Sequence, residues 1–296
     1  MKDSTNGLPT IARRRVLAGG ALALGAVTRA GAQARPPAPT RLAAQRLGWA
    51  GVRLRLGETT VWIDPLANAA VWGEALRDTL SPIESPPGNR FVLVTHRHPD
   101  HYDADTVARA LGAGGTLLSA APTGPLPVPA GSRSRAVDLY EPQWLGDMTA
   151  VAVPAADGYG DPQVSWIVSG GGRRIIHCGD TLWHGHWWKI ASYGPFDAAF
   201  LPINGARFGW RKPASGLPGV MTPEQAAGAA EVIGARLIVP IHYGMQPSDD
   251  YTEEAHPAHG LTAAAAARHV EVEFVRAGAW LTWRAQGCEQ SAAMCD

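Results

Sequence analysis

The sequence predicts a single α/β domain, and three observations carry that prediction. Short apolar runs rich in β-branched residues recur along the chain, with helix-forming segments set among them. At 296 residues the chain suits one large domain with a sizeable core, or at most two domains. No internal repeat and no linker divides its body.

The N-terminus stands apart from that domain. Arg13-Arg14-Arg15-Val16-Leu17 opens an Ala/Gly/Leu-rich run from Val16 to Val27, and Ala32-Gln33-Ala34 follows. A charged start, a short hydrophobic segment and a small-residue cleavage site make an export signal. Adjacent arginines before a weakly hydrophobic run are similar to the twin-arginine type. Residues 1–34 are therefore expected to be this signal, cleaved after Ala34, with the twin-arginine machinery as a partner. That route carries folded proteins, often with cofactor inserted, and leaves a periplasmic or secreted bacterial protein. Residues 35–45 follow as a proline-rich leader, 46–285 as the domain and 286–296 as a tail.

Within the domain, Trp49 to Leu56 and Thr60 to Ile63 read as strands joined around Gly57-Glu58, the second ended by Asp64-Pro65. Arg90 to Thr95 reads as a buried strand, and Pro99 keeps the loop after it from becoming helix. Asp103 caps a short helix to Leu111. Strands follow near Thr116–Ser119, Ala136–Leu139, Thr149–Val153, Ser165–Val168, Arg173–His177 and Phe196–Ile203. Thr222-Pro223-Glu224-Gln225 supplies a cap, a first-turn proline and a capping-box partner, opening a helix to about Gly234. Leu237–Ile241 is a strand and Thr262–His269 a helix, with Glu271–Val275 and Ala279–Trp283 closing the sheet.

Composition excludes several functions. The formal net charge is zero, 18% of residues are charged, and the body holds no basic run, which leaves no electrostatic footing for nucleic acid. No apolar stretch of the mature region reaches the length of a membrane span. Cys178, Cys288 and Cys295 lack CxxC spacing, which argues against thiolate-bound zinc, although Cys288 and Cys295 could pair in an oxidising compartment. There is no G-x-S-x-G motif, and Cys178 has no obvious activating partner.

Metal chemistry remains. His96-Arg97-His98-Pro99-Asp100-His101 packs three imidazoles and one carboxylate into six positions directly after a strand. Imidazole nitrogen and carboxylate oxygen are good zinc donors, and two histidines one residue apart can point to the same side of an extended turn. Asp180 and His242 each follow an apolar strand, so both belong at strand ends, where the histidine loop also lies. Two cations held close together need a bridging anion, which one carboxylate plus a hydroxide supplies.

Five segments in order carry a resemblance: Ile63-Asp64-Pro65, Val94-Thr95 with the histidine loop, Val153-Pro154-Ala155, Cys178-Gly179-Asp180-Thr181 and Pro240-Ile241-His242-Tyr243-Gly244. From about Arg46 to Trp283 the chain resembles the metallo-β-lactamase-fold superfamily. The pattern is most like its ascorbate-6-phosphate lactonase-like and N-acylphosphatidylethanolamine phospholipase D-like branch. The resemblance implies an αββα sandwich with a metal site at one edge of two packed sheets. It implies that His96 and His98 bind a first metal, Asp100 and His101 a second, that Asp180 bridges both, and that His242 completes the second site.

One position departs from the pattern. The family usually places a histidine shortly after the Val-Pro-Ala segment, whereas here Ala156 is followed by Asp157. Asp157 is expected to take that ligand's place. The competing idea is that His184 or His186 swings in while Asp157 caps a turn beside Gly158. A two-histidine, one-carboxylate set tolerates harder cations better, so the two divalent ions expected are zinc, with manganese or iron as alternatives.

Further candidates lie in the aromatic insert Thr181 to Trp188, where Trp183, Trp187 and Trp188 share a helical face, either as core or as an apolar wall beside the metals. His184 could bind substrate or donate a proton there. Asn204, Arg207 and Trp210 belong to a loop on the same edge, with Arg207 a candidate holder of an anionic group. The function expected is a metal-dependent hydrolase using a metal-bound hydroxide on a small-molecule ester, lactone or phosphodiester, with Asp100 orienting the hydroxide. The alternative is an exported metal- or small-molecule-binding protein of the same fold with little or no turnover.

Overall fold

The computed structural model describes residues 39–283. The segment expected to be an export signal, its expected cleavage site and the tail with Cys288 and Cys295 lie outside the described residues.

Two sheets build the domain. The first holds β1 (Ala43–Gly48), β2 (Gly51–Leu56), β3 (Thr59–Ile63), β4 (Asn89–Leu93), β5 (Thr116–Ala120) and β6 (Arg133–Val137) in sequence order. It begins as antiparallel hairpins and turns parallel from β3 onward. The helix α1 (Ala104–Leu111) follows β4, and the Asp103 carboxylate caps it by accepting from the Thr106 N–H at 2.7 Å.

The second sheet starts with β7 (Gln143–Leu145), β8 (Met148–Pro154), β9 (Val164–Gly170) and β10 (Arg173–His177), each antiparallel to the one before it. After α2 (Trp187–Ala191), the strand β11 (Ala198–Pro202) runs parallel to β10. The two-residue β12 (Arg207–Phe208) leaves the sheet, and α3 (Pro223–Val232) leads to β13 (Leu237–Ile241), parallel to β11. Then β14 (Tyr251–Thr252) pairs with β12 as a separate ribbon, α4 (Pro257–Ala266) packs on α3, and β15 (Glu271–Val272) ends the sheet beside β13.

The pleat explains the layers. In β11, Ala198 and Phe200 point between the sheets, while Ala199 and Leu201 point outward under α2, α3 and α4. The inter-sheet core joins Val52, Leu54, Val61, Ile63 and Leu93 of one sheet to Ala150, Ala152, Trp166, Val168 and Phe200 of the other. Trp62, Val92 and Leu117 face the opposite way and meet Val107, Ala110 and Leu111 of α1. The result is an αββα sandwich. Truncating Phe200 to alanine would open a cavity between the sheets at a cost of about 3–5 kcal/mol. Trp166 ties the sheets with a hydrogen bond as well, its indole N–H donating to the Val94 carbonyl at 3.0 Å.

Several boundaries differ from the sequence reading. β1 begins at Ala43, inside the expected leader, and Trp49 lies in the β1–β2 turn with φ 47°, a left-handed conformation. Ala279 to Trp283 contributes only an isolated bridge between Gln45 and Trp280, since this segment follows the edge strand without a continuous ladder. The last helix starts at Pro257, whose fixed φ suits a first turn, and not at Thr262. Among the described residues no helix is long and apolar enough to cross a membrane.

β3 and β4 run the same way in the first sheet, as do β8, β10, β11 and β13 in the second, and the residues just past their C-terminal ends meet at one edge. That edge collects the functional side chains.

Candidate metal centre

Each cluster member sits just past a strand end. Asp64 follows β3, the segment from Thr95 to His101 follows β4, Asp157 follows β8, Asp180 follows β10 and His242 follows β13. Gly179 makes the turn that delivers Asp180: its φ is 59°, and a Cβ there would press on Thr95 and Gln163.

The metal-capable atoms fall into overlapping groups, each within 4.8 Å: His96, His98, Asp157 and Asp180; His96, Asp100 and His101; His101, Asp180 and His242. His96 Nε2 lies 2.9 Å from His98 Nδ1. The Asp180 carboxylate divides between the groups, with Oδ1 3.6 Å from His96 Nε2, and Oδ2 4.0 Å from His101 Nε2 and 3.8 Å from His242 Nε2. Asp100 Oδ2 lies 3.4 Å from His242 Nε2 and 3.6 Å from His101 Nε2.

Asp157 divides in the same way. Its Oδ2 accepts the N–H groups of Tyr159 at 2.9 Å and Asp161 at 2.8 Å, which closes a tight turn. Its buried Oδ1 has no hydrogen-bond partner and lies 3.9 Å from His98 Nδ1. Gly158 allows the turn to press against the Gly219 backbone, where a Cβ would collide.

A cation fits this arrangement. Asp157 Oδ1, Asp180 Oδ1, His101 Nε2 and His242 Nε2 are all buried without a hydrogen-bond partner. Each such group costs about 1–3 kcal/mol if left unpaired, so four of them spread over the overlapping groups mark a place for positive charge. The donors are imidazole nitrogens and carboxylate oxygens, a set that suits zinc, manganese or iron. The Cys178 thiol is buried, belongs to none of the groups, and burial pushes its pKa up to about 12.

An outer layer of hydrogen bonds aims these donors. Asp64 Oδ2 lies 2.8 Å from His101 Nδ1 and accepts from Thr95 Oγ1 at 2.6 Å, while Asp64 Oδ1 accepts from the Thr95 N–H. His101 therefore turns Nε2 toward the groups. Asp161 Oδ2 lies 2.9 Å from His98 Nε2, which frees Nδ1 for the centre. The Trp49 indole N–H donates to Asp100 Oδ2 at 3.1 Å, its ring lies 4.1 Å from the His242 ring, and its carbonyl accepts the His242 N–H at 3.2 Å. Trp49, Asp64 and His242 all adopt left-handed backbone, which costs about 1–3 kcal/mol per residue and persists only where surrounding structure enforces it.

The electrostatics are those of a surplus of carboxylates. Burial lowers the His96 pKa to about 4, more than the nearby carboxylates raise it, so the imidazole is neutral and ready to donate a lone pair. Burial also opposes charge on His101, but Asp100, Asp64 and Asp180 together raise it to about 10. Burial likewise opposes charge on Asp180 and Asp100, yet the neighbouring histidines hold both below the usual carboxylate range. Asp157 goes the other way, because burial dominates and raises it.

A cavity of about 410 Å³ opens beside the first group, between the turn at Gly158-Tyr159 and the β12–β14 ribbon. Tyr159, Phe208 and Tyr251 line it and form one aromatic cluster with Trp210, and the Tyr159 ring lies 5.1 Å from that of His98. The Arg211 guanidinium lies over Tyr159 at 4.0 Å.

Two sequence candidates have other partners. Arg207 lines the cavity, but its guanidinium is bound to Glu254 at 2.8 Å and to the Gly216 carbonyl at 3.1 Å, so it is not a free anion holder. His184 stacks on Trp187 at 4.3 Å, accepts the His186 N–H, and joins none of the metal-capable groups among the described residues. Trp187 is core, Trp183 rests against Gly228, and Trp188 is 62% exposed. His177 is structural, with Nε2 2.7 Å from the Ala50 carbonyl. Sequence reasoning missed Trp49, Asp161, Tyr159, Arg211 and Tyr251. Only the aromatic density around Trp210 hinted at any of them.

A family model described as the beta-lactamase superfamily domain matches residues 59–243. A UPF0173 metal-dependent hydrolase of Thermus thermophilus is 32% identical over 213 residues, covering 68% of this chain and 83% of the relative. Among solved structures, Igni18, a metallo hydrolase from Ignicoccus hospitalis, aligns with a TM-score of 0.61 at 19% identity, covering 83% of this chain and 99% of its own. CmlA, a diiron beta-hydroxylase from Streptomyces venezuelae, gives a TM-score of 0.61 at 16% identity over 83% of this chain and 55% of its own. At these identities the two structures speak to the fold alone.

Proposed function

The chain belongs to the beta-lactamase superfamily domain family, and from that premise we propose that it is a metal-dependent hydrolase. It acts with two divalent cations on ester, lactone or phosphodiester bonds of small molecules. One observation carries the reading: the Asp180 carboxylate turns one oxygen to His96 and the other to His101 and His242. A carboxylate shared in this way would help to hold both cations.

In this reading His96, His98, Asp157 and Asp180 would hold the first cation, and Asp100, His101, Asp180 and His242 the second. Two cations held there would supply Lewis acidity, enough to make a water more acidic and to polarise a carbonyl or phosphoryl oxygen. The residues supply the rest. Asp100, fixed by the Trp49 indole, is placed to orient the attacking water and accept its proton. Substrate enters the cavity beside His98, where Tyr159 and Phe208 offer an apolar wall. Asp64, Asp100, Asp157 and Asp180 carry a charge surplus that two divalent ions balance. Zinc is the metal proposed, with manganese or iron also compatible with so many oxygen donors. Export through the twin-arginine route, with the metals loaded before transport, belongs to the same reading.

The test is elemental analysis with a panel of phenyl esters, lactones and phosphodiesters, assayed before and after chelation. Two cations per chain and chelator-sensitive turnover are expected, and Asp180→Ala should lose metal together with activity. Full metal content in D180A would remove the bridging role. Cations without turnover across the panel would favour a binding protein of the same fold.

A further inference from the structure

Tyr251 lines the cavity, and the reading above leaves its hydroxyl unassigned. Asn204, in the loop after β11, donates to it through Nδ2 at 2.7 Å. The other partners of that amide fix which end is which. Its Oδ1 accepts the Ala206 N–H at 3.3 Å, and its Nδ2 also donates to Glu253 Oε1 at 3.1 Å. A backbone N–H can only donate, so Oδ1 must face Ala206 and the amide cannot be flipped. Glu253 is held in turn by the Gly244 N–H, which donates to Oε2 at 3.0 Å, two residues after His242.

This network settles the direction of the phenol. Since Asn204 supplies a donor, the Tyr251 oxygen acts as acceptor and its own proton remains to be given away. Among the described residues, no hydrogen bond takes that proton. Burial, followed by the charges of Glu253, Asp100 and Asp180, holds the phenol pKa far above its usual value, so the proton stays available at any working pH. The chain of hydrogen bonds from Tyr251 through Asn204 and Glu253 to Gly244, two residues after His242, sets this network on the cation side of the cavity. A buried, oriented donor with no acceptor, facing a place where negative charge accumulates, is what stabilisation of an oxyanion requires.

We propose that Tyr251 Oη donates a hydrogen bond to the substrate oxygen on which negative charge develops, making Tyr251 a catalytic residue. The inference rests on the hydrolase reading, and its test keeps the two apart. Tyr251→Phe removes one oxygen, leaves the ring packed between Phe208 and Trp210, and leaves Asn204 bonded to Glu253. The probes are inorganic phosphate, binding to the zinc-loaded full chain as a tetrahedral oxyanion, and a series of substituted phenyl acetates. Metal content should be unchanged, phosphate should bind about tenfold more weakly, and kcat should fall about 10²-fold with KM less affected.

Asn204→Asp offers the phenol an acceptor and should reproduce both losses. Y251F within threefold of wild type for phosphate binding and kcat would overturn the proposal. Loss of metal in Y251F would overturn it as well, by making the role structural. A wild-type chain that binds phosphate with zinc yet hydrolyses none of the esters counts against the hydrolase reading on those substrates. In that case the phosphate affinity of Y251F alone decides the role of Tyr251.

Discussion

Asp157→Asn separates two jobs that one side chain performs. Its Oδ2 holds the N–H groups of Tyr159 and Asp161, and its bare Oδ1 faces His98. Alanine would remove both functions. Two hydrogen bonds to a charged acceptor are worth roughly 3 kcal/mol or more together, so D157A should loosen the turn that carries Tyr159 and Asp161. Asparagine keeps an oxygen that can accept both N–H groups and replaces the other with an NH2, which has no lone pair to give a cation. Metal affinity of the first site should therefore fall about 10²-fold or more, roughly 2.7 kcal/mol, with the turn intact. The sign reverses without metal. Burial raises the Asp157 pKa, so its ionised form is unfavourable in the folded chain, and stripped D157N should unfold at an equal or higher urea concentration than stripped wild type. Chelator-competition titration and urea unfolding measure the two effects. Wild-type affinity at both sites in D157N would refute the ligand role, and loss of stability equal to that of D157A would refute the division of labour between the oxygens. Asp157→His should keep the cation and shift preference toward zinc.

The remaining predictions concern aim, protons and export. Trp49→Phe keeps a ring against His242 but removes the donor to Asp100, so cation affinity or turnover should drop 10- to 100-fold with little change in melting temperature; unchanged kinetics would show that Asp100 needs no indole. In chelator-stripped protein His101, raised to about 10, contributes stability that is complete below about 6.5 and is lost as pH climbs toward 10. His96, lowered to about 4, contributes stability that is lost as pH falls from about 6.5 toward 4, and the depressed Asp64, Asp100 and Asp180 act in the same direction at lower pH. Urea midpoints at pH 4.5, 6.5 and 9 should thus peak in the middle, and a midpoint still rising at pH 9 would contradict the His101 assignment. Replacing Arg13, Arg14 and Arg15 with lysine should leave precursor in the cytoplasm, and undiminished periplasmic yield would rule out the twin-arginine route.

What could be read from the chain was what is written locally. A buried strand ending in His96 to His101 states both its position and its chemistry, and the same holds for Asp180 after β10 and His242 after β13. The capping box at Thr222 and Gln225 is likewise a four-residue statement, and both of its hydrogen bonds are present. The cavity wall is different. β12 and β14 contribute two residues each from segments 43 positions apart, too short to show any period, so the ribbon that brings Tyr251 to Phe208 leaves no trace in the pattern. Arg207 looked free because its partner Glu254 is 47 residues away. Trp49 looked like a strand residue because its left-handed turn is enforced by His242 and Asp78, not by a glycine.

Asp157 shows why a sequence can pose the right alternatives and still frame them wrongly. Its position after Val153-Pro154-Ala155 suggested a ligand, and its place before Gly158 suggested a turn cap, as though one excluded the other. A carboxylate has two oxygens with separate lone pairs. Here the backbone of Tyr159 and Asp161 occupies one, while burial leaves the other bare toward His98. The turn bonds fix the carboxylate's rotation, so they also aim the free oxygen. An imidazole could not do both, since one ring nitrogen facing the cation would leave a single nitrogen for two N–H donors. The substitution of aspartate for the family's histidine and the tight turn from residue 157 to residue 161 are thus one structural choice, and Asp161, delivered by that turn to His98 Nε2, is its second consequence.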